Sequence, residues 1–310
     1  MKETNTVKTI GSIRTIQKVA THNGAFHPDD TFSIAILKTL FPQVEIVRSR
    51  NPEIYNACEL VVDVGEGAFD HHQKGGNGVR ENGVPYAAFG LVWRAFGPRF
   101  VRQFAGQNVE SIVEIVDQKL VQGVDALDNG YNPHEEMLKQ LDFQVLSICE
   151  AISNFNPNWD EELDEDEAFE KAVAWVQQFL IQFVKSEVAQ LKAKELVEEA
   201  VVNQENHVIE FDRYVPWGEH LFNAPNNETI EYVIFRDLNS GEWRIQTVPI
   251  EPDSFVARKS LPETWAGLRD NDLNEVVGIS DGVFVHNGRF IGGAISKESI
   301  LKMAELALRD

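Results

Sequence analysis

Along the first half of the chain, apolar residues alternate between short runs and helical spacing. Residues 16–21 (Ile-Gln-Lys-Val-Ala-Thr) read as a strand, and a polar loop, residues 22–30, follows abruptly. Phe32, Ala35, Ile36 and Leu40 then recur on one face of a helix that Pro42 stops. The apolar runs at 44–48 and 60–64 predict further strands, and helices are expected over 87–96 and 109–120. Strands alternating with helices imply parallel βαβ units.

The middle of the chain is helical and strongly charged. Eight acidic residues fall between Trp159 and Glu170, and an apolar stripe through Trp175, Phe179, Phe183 and Val188 runs along residues 172–201. Acidic side chains stabilise a helix N-terminus through its dipole, so the acid run predicts a solvated helix start rather than a metal site. After residue 205 the pattern turns to β: 232–235, 243–248 and 282–287 are strand-like, separated by turns at 239–241 and 286–288, and a last helix spans 296–308. The expected fold is α/β. A parallel-sheet domain over residues 1–204, including the long helix as connector, joins a smaller α+β domain over 205–310. There is no internal repeat.

Composition narrows the classes of function. A length of 310 residues suits one large or two ordinary domains, and 43% hydrophobic with 25% charged residues excludes a disordered or collagen-like chain. No apolar run approaches the roughly 18 residues of a membrane span. The first ten residues lack the apolar core of a secretory signal. Cys58 and Cys149 stand alone, which disfavours a disulfide framework or a thiolate zinc site and fits a reducing cytoplasm. With 28 basic against 49 acidic side chains the net charge is −21. That balance argues against a broad basic surface coating nucleic acid and leaves room for a small anionic substrate held at a metal.

Three groups of residues carry candidate chemistry. The loop after the first strand holds His22, His27, Asp29 and Asp30; Asp63 ends a later strand and Asp70-His71-His72 follows; Asp125 and Asp128 form the third group. All three are expected at the carboxyl ends of parallel strands, where ligands bind in open α/β sheets. Imidazole and carboxylate without thiolate suit Mn²⁺, Mg²⁺, Fe²⁺ or Zn²⁺ in a reactive site. The donors exceed what one tetrahedral ion uses, whereas two ions about 3.5–4 Å apart and bridged by a carboxylate would engage them all. Taken alone, Asp30 reads as a turn or N-cap residue. His134 reads as a surface residue at a helix start, His207 and His220 as structural, and His286 as an exposed hairpin residue.

Asp70-His71-His72, with Asp63 and the His/Asp loop before it, resembles the DHH phosphoesterase superfamily, which includes RecJ exonuclease, nanoRNA phosphatases and manganese pyrophosphatases. A closer resemblance is to the Myg family, metal-dependent DHH-like RNA exonucleases. It is carried by residues 22–27 (His-Asn-Gly-Ala-Phe-His), 61–65, 70–73, 85–93 and 125–130, and in the second half by 243–246, 258–262, 265–269 and 289–293. The resemblance implies that His22, His27, Asp29, Asp63 and His71 bind metal, with Asp63 bridging, and that either Asp125 or Asp128 completes the second ion. It implies that His72, beside Asp70, contacts the scissile phosphate. Where the family commonly has Cys-Asp-Glu, this chain has Pro28-Asp29-Asp30, so the last acid is shorter by one methylene.

The second domain resembles a substrate-binding lobe. The Gly292-Gly293 pair offers backbone amides to an anion, Arg244, Arg258, Lys259 and Arg269 offer charge to phosphates, and Trp243 and Trp265 are candidates for base stacking. The Gly-rich residues 74–78 before Arg80 are expected to form a mobile loop over the metals. The expected function is a two-lobed, Mn²⁺- or Mg²⁺-dependent phosphodiesterase acting as an exonuclease on short single-stranded RNA or a nucleotide, with a homodimer left open. A small-molecule phosphatase or pyrophosphatase on the same metals, or a regulatory protein with a structural metal, are the alternatives.

Overall fold

The computed structural model describes residues 15–132 and 138–310; the amino-terminal segment and His134 lie outside the described residues. The chain forms two compact units, divided in sequence between Val188 and Ala189. Among the described residues no helix is long and apolar enough to cross a membrane.

The first unit is built on a three-stranded parallel sheet of β1 (Lys18–Thr21), β2 (Glu45–Arg48) and β3 (Leu60–Val61), in the order β2-β1-β3. Helix α1 (Pro28–Leu40) connects β1 to β2. Its start is set by Pro28, whose fixed φ suits the first turn, and by Asp29 and Asp30, whose charges favour the positive end of the dipole. Phe32, Ile34, Ala35, Ile36 and Leu37 are all fully buried, so α1 lies inside the unit rather than presenting one apolar face. Short helix α2 (Pro52–Tyr55) precedes β3.

β3 is shorter than the 60–64 run predicted. Val62 forms only a bridge with Phe69, and Asp63 turns the chain with a left-handed φ of 56°. Helix α3 (Ala88–Val101) packs on α1, with Phe89 stacked on Phe32 at 4.5 Å between ring centroids. The helix expected over 109–120 is longer and interrupted: α4 (Val109–Val116), a π turn (Asp117–Val121) and α5 (Gln122–Asp128) run on without a break. Asp125 and Asp128 therefore sit on a helix and not at a strand end. The sequence hid this because a π turn shifts the apolar periodicity by one residue.

After α6 (Ile148–Ser153), helix α7 (Glu165–Val202) is the acidic-start helix of the sequence analysis. Its buried stripe is Phe169, Val173, Val176, Leu180 and Val184, not the aromatic row predicted. Trp175, Phe179 and Phe183 instead flank it as a ladder with centroid spacings of 6.0 and 5.8 Å.

The second unit is a five-stranded mixed sheet of β4 (Val208–Phe211), β5 (Tyr232–Arg236), β6 (Trp243–Thr247), β7 (Gly282–Val285) and β8 (Ile291–Ala294), ordered β4-β5-β6-β8-β7. Only the β4–β5 pair is parallel. β5 alternates between two cores, as a strand's two-residue period requires. Val233 and Phe235 face Val197, Val201 and α8 (Trp217–Asn223), while Tyr232 and Ile234 face α9 (Asp270–Val277) and α10 (Lys297–Arg309).

One contact in the first unit tolerates no side chain. A Cβ on Gly90 of α3 would lie 1.9 Å from Asp125 Oδ2 and 2.7 Å from an Arg80 guanidinium nitrogen. Gly90→Ala is expected to destabilise the fold by about 1–3 kcal/mol through this overpacking. Urea unfolding checks this, and an unchanged midpoint would contradict the packing described.

Candidate metal centre

The centre grows from three chain turns in the first unit. β1 ends at Thr21 and delivers His22; α1 begins after His27 and brings Asp29 and Asp30 on its first turn; the left-handed turn after β3 supplies Asp63. Non-glycine residues seldom hold a positive φ, and such strain persists where the surroundings enforce it. Here the Asp63 amide donates to the Phe69 carbonyl at 2.9 Å, which fixes the turn. His71 and His72 follow, and α5 contributes Asp128 from its last turn.

Among the described residues three candidate ligand groups result, each with donor atoms within 4.8 Å of one another: His22, Asp30 and Asp63; Asp63, His71 and His72; and His27, Asp29 and Asp128. Asp63 is shared. Its Oδ2 lies 3.4 Å from His22 Nε2, and its Oδ1 lies 3.4 Å from His71 Nε2. His71 Nε2 also approaches Asp128 Oδ2 at 3.1 Å and Asp29 Oδ2 at 3.6 Å. His27 is the outlying member, with Nδ1 at 3.8 Å from Asp128 Oδ1.

The polar atoms of this cluster are the test of whether cations fit. Asp29 Oδ1, Asp30 Oδ2, both oxygens of Asp63 and His71 Nε2 are buried without a hydrogen bond. The imidazoles of His22 and His71 lie at ion-pair distance from Asp30 Oδ2 and both Asp63 oxygens, yet none of these contacts has hydrogen-bond geometry. Burying unsatisfied carboxylates costs several kcal/mol each, so such a set is stable only with a compensating positive charge. Converging oxygen and imidazole donors are what hard or borderline divalent cations require. The residues fit metal binding.

Electrostatics agree. Burial, reinforced by the neighbouring carboxylates, pushes the Asp29 carboxyl well above its ordinary range. Burial also raises Asp30, to about 7, with His22 opposing. For Asp63 burial acts upward too, but His22 and His71 outweigh it and hold the carboxyl at about 2. Burial depresses the His71 imidazole, while Asp128, Asp63 and Asp29 more than reverse this and lift it to about 11.

Asp30 is the ligand-group member that its reading as a turn residue missed. The N-cap is His27 and not Asp30, which sits at the third helical position; its Oδ1 accepts from the His27 amide at 3.0 Å, and this leaves Oδ2 at 3.2 Å from His22 Nε2. An acid at the third helical position after His27-Pro28 was the signal.

Of the pair left open by the sequence, Asp128 joins the cluster and Asp125 does not. Asp125 accepts from the Gly90 amide at 2.9 Å and pairs with Arg80 at 2.8 Å, while Asp117 in the π turn also pairs with Arg80 at 2.8 Å. Burial raises Asp125 to about 7, with Arg80 opposing. Asp70 is likewise outside the ligand groups. It accepts from the Glu66 amide at 2.6 Å and contacts His72 Nδ1 at 2.7 Å, so it orients His72. The Gly-rich stretch 74–78, expected to be mobile, is anchored on its carboxyl-terminal side. Asn77 Nδ2 donates to the Asp70 carbonyl at 2.9 Å, and Arg80 is held as described.

In the second unit the predicted substrate residues divide. Arg244 and Arg269 both approach the ring of Phe284, at 5.4 and 5.7 Å, and a Cβ on Gly293 would meet the Arg244 guanidinium at 2.6 Å. Arg244 also pairs with Glu242 at 2.6 Å. Gly292 and Gly293 are interior residues of β8, paired with both β6 and β7. Arg258 and Lys259 are committed to structure. Arg258 donates to the Ile230 carbonyl at 3.0 Å and to Asn227 Oδ1 at 2.8 Å, and Lys259 donates to the Leu308 carbonyl at 3.0 Å. Trp265 is core, whereas Trp243 is half-buried beneath Lys297. His207, His220 and His286 have local partners: the Thr229 carbonyl, Gln190 and the Gly288 amide.

Comparison with known proteins places this geometry in context. Residues 18–308 match the MYG1_exonuc family model, described as an uncharacterised protein family (UPF0160). A MYG1 protein of Schizosaccharomyces pombe is 35% identical over 94% of this chain and 97% of its own length. The mouse and human proteins named MYG1 exonuclease are 34% and 33% identical over 94% of this chain, covering 84% and 85% of their lengths. Among solved structures, Thermus thermophilus RecJ in complex with Mg²⁺ aligns over 100% of this chain and 53% of its own, at 12% identity and a TM-score of 0.25.

Two outcomes follow from the cluster. Asp63→Asn keeps a residue tolerant of positive φ while removing the shared charge, and is expected to abolish divalent-ion binding in calorimetry with the fold retained by circular dichroism. Wild-type affinity in that variant would contradict the shared position of Asp63. In the metal-free protein, Asp29 and Asp30 have folded pKa values above their unfolded ones, so their contribution to stability is present below about pH 4 and lost as pH rises through the folded values. His71, raised to about 11, contributes below its unfolded value of about 6.5 and loses this as pH rises further. The metal-free Tm is therefore expected to be higher at pH 5 than at pH 8, and added Mn²⁺ to raise it more at pH 8. Equal metal-induced shifts at both pH values would contradict this.

Proposed function

The chain belongs to the MYG1 family, and from that membership we propose that it is a metal-dependent phosphodiesterase, an exonuclease on short single-stranded RNA. The observation that carries the reading is the set of buried, unpaired oxygen and nitrogen atoms around Asp63. Relatives bearing the name MYG1 exonuclease support the reaction class.

In this proposal His22, Asp30 and Asp63 hold one ion, and Asp63, Asp29, His71 and Asp128 hold a second, with His27 at the outer edge of that group. When bound, two Mn²⁺ or Mg²⁺ ions supply charge neutralisation at the phosphate and a water acidic enough to act as nucleophile near neutral pH. The protein's own contribution is alignment. Asp70 holds His72 at Nδ1, which leaves Nε2 free for the scissile phosphate or the departing oxygen. His72 is more than half exposed, unlike His22 and His71, as a substrate-facing group must be. In the second unit, Arg269 and Arg244, the latter paired with Glu242 and near Asp237, both approach Phe284, where they would meet a phosphate or a base face.

The net charge of −21 favours a second reading, a phosphatase or pyrophosphatase acting on small anions, because long RNA is repelled away from a local basic track. Rates on graded oligoribonucleotides against rates on pyrophosphate and mononucleotides separate the two. The direct test is Mn²⁺-dependent digestion of 5′- and 3′-labelled oligoribonucleotides, run beside His71→Ala. Stepwise shortening from one end, with His71→Ala at the no-enzyme background, is the expected result. Wild-type activity in His71→Ala would overturn the assignment of the centre, and turnover of pyrophosphate alone would overturn the exonuclease reading.

A further inference from the structure

The loop that carries His22 and His27 has no regular secondary structure, yet the two imidazoles must be spaced to serve different ligand groups. Such spacing needs a brace from outside the loop. Asn156, which follows α6 and lies 130 residues further along the chain, meets the backbone of Phe26. Its Oδ1 accepts from the Phe26 amide at 2.9 Å, and its Nδ2 donates to the Phe26 carbonyl at 3.0 Å. A primary amide is the side-chain group that presents a donor and an acceptor side by side in one plane, matching both polar atoms of a single residue. Nδ2 also donates to the Ser153 carbonyl at 3.1 Å, which fixes the amide to the end of α6.

Arg48 completes the brace from the end of β2. Its guanidinium donates to the Gly24 carbonyl and to Asp166 Oδ1 of α7, the latter at 2.7 Å, and lies over the rings of Phe26 and Phe169 at 5.8 and 4.6 Å. The Phe26 ring itself is buried edge-on against Phe169 at 5.3 Å. Backbone and side chain of the residue preceding His27 are thus both fixed, and by groups that touch neither ligand.

We infer that Asn156 is a positioning residue of the metal centre: its two hydrogen bonds to Phe26 set the place of His27 and the His22–His27 spacing, and hence divalent-cation affinity. This deepens the proposed function and rests on the metal centre described there. A group that orients ligands without touching metal typically governs affinity by about 10–100-fold.

The test is calorimetric titration of the metal-free full chain with MnCl₂ at pH 8, together with hydrogen exchange of the segment 22–30. Wild type is compared with Asn156→Ala and Asn156→Asp; the second keeps an acceptor for the Phe26 amide but replaces the donor to the Phe26 and Ser153 carbonyls with a carboxylate oxygen that repels both. Mn²⁺ affinity is expected to fall by about 10–100-fold in Asn156→Ala and in Asn156→Asp, since each loses the donor to the Phe26 carbonyl. Exchange should accelerate in 22–30 while α3 exchanges as in wild type. Phosphodiesterase kcat should fall at low Mn²⁺ and recover as Mn²⁺ is raised, with KM for the oligonucleotide unchanged, a pattern that general loss of stability does not give. Wild-type Mn²⁺ affinity in folded Asn156→Ala overturns the inference and leaves the proposed function standing. Where Asn156→Ala does not fold, Asn156→Asp decides by the same readouts. A wild-type chain that takes up no Mn²⁺ overturns the proposed function and this inference together.

Discussion

Repulsion among Asp29, Asp30, Asp63 and Asp128 is the constraint around which the first unit is arranged. Two unit charges about 4 Å apart cost about 4 kcal/mol at an effective dielectric near 20, and several such pairs meet here. Asp29, Asp30 and Asp63 are almost wholly buried, so water screens them little. Burial first, with neighbouring carboxylates adding to it, raises Asp29 and Asp30, so their protonation relieves part of the strain, and the His71 imidazolium relieves more. Bound divalent cations relieve it without consuming protons. The same set of side chains, costly when empty, is one that divalent cations would stabilise.

That constraint explains features of the fold that otherwise look incidental. β3 stops early so that Asp63 can turn into the left-handed region and share its carboxylate between two groups. α1 is buried over most of its length, from Asp29 to Leu37, and its first turn carries two carboxylates into the interior. Asp125 and Arg80, a helix turn from Asp128 and a few residues beyond His72, hold α5 and the loop after the histidine pair in place. Gly90 is required there because the Asp125 carboxylate lies directly against the backbone of α3.

The sequence revealed the parallel α/β character, the helical middle and most of the cluster, because those rest on local signals. His22, His27, Asp29, Asp63 and His71 stand beside turns and strand ends that a single sequence exposes. Asp128 could not be separated from Asp125, since three residues along a helix are nearly one face and only the packing of Gly90 and Arg80 tells them apart. The π turn concealed that helix altogether. Asp30 was hidden by doing two things at once: one oxygen accepts from the His27 amide at the start of α1, and the other joins the ligand group. Arg258 and Lys259 were indistinguishable in sequence from Arg244 and Arg269. Their commitment to backbone carbonyls is a long-range fact, as is the hold of Asn156 on Phe26.

The central claim is that Asp63 stands between two divalent cations. Anomalous diffraction from crystals soaked in Mn²⁺ tests it most directly. Two peaks about 3.5–4 Å apart, one beside His22 and Asp30 and the other beside His71 and Asp128, are the result this account predicts. A single peak away from Asp63, or none at saturating Mn²⁺, would contradict it.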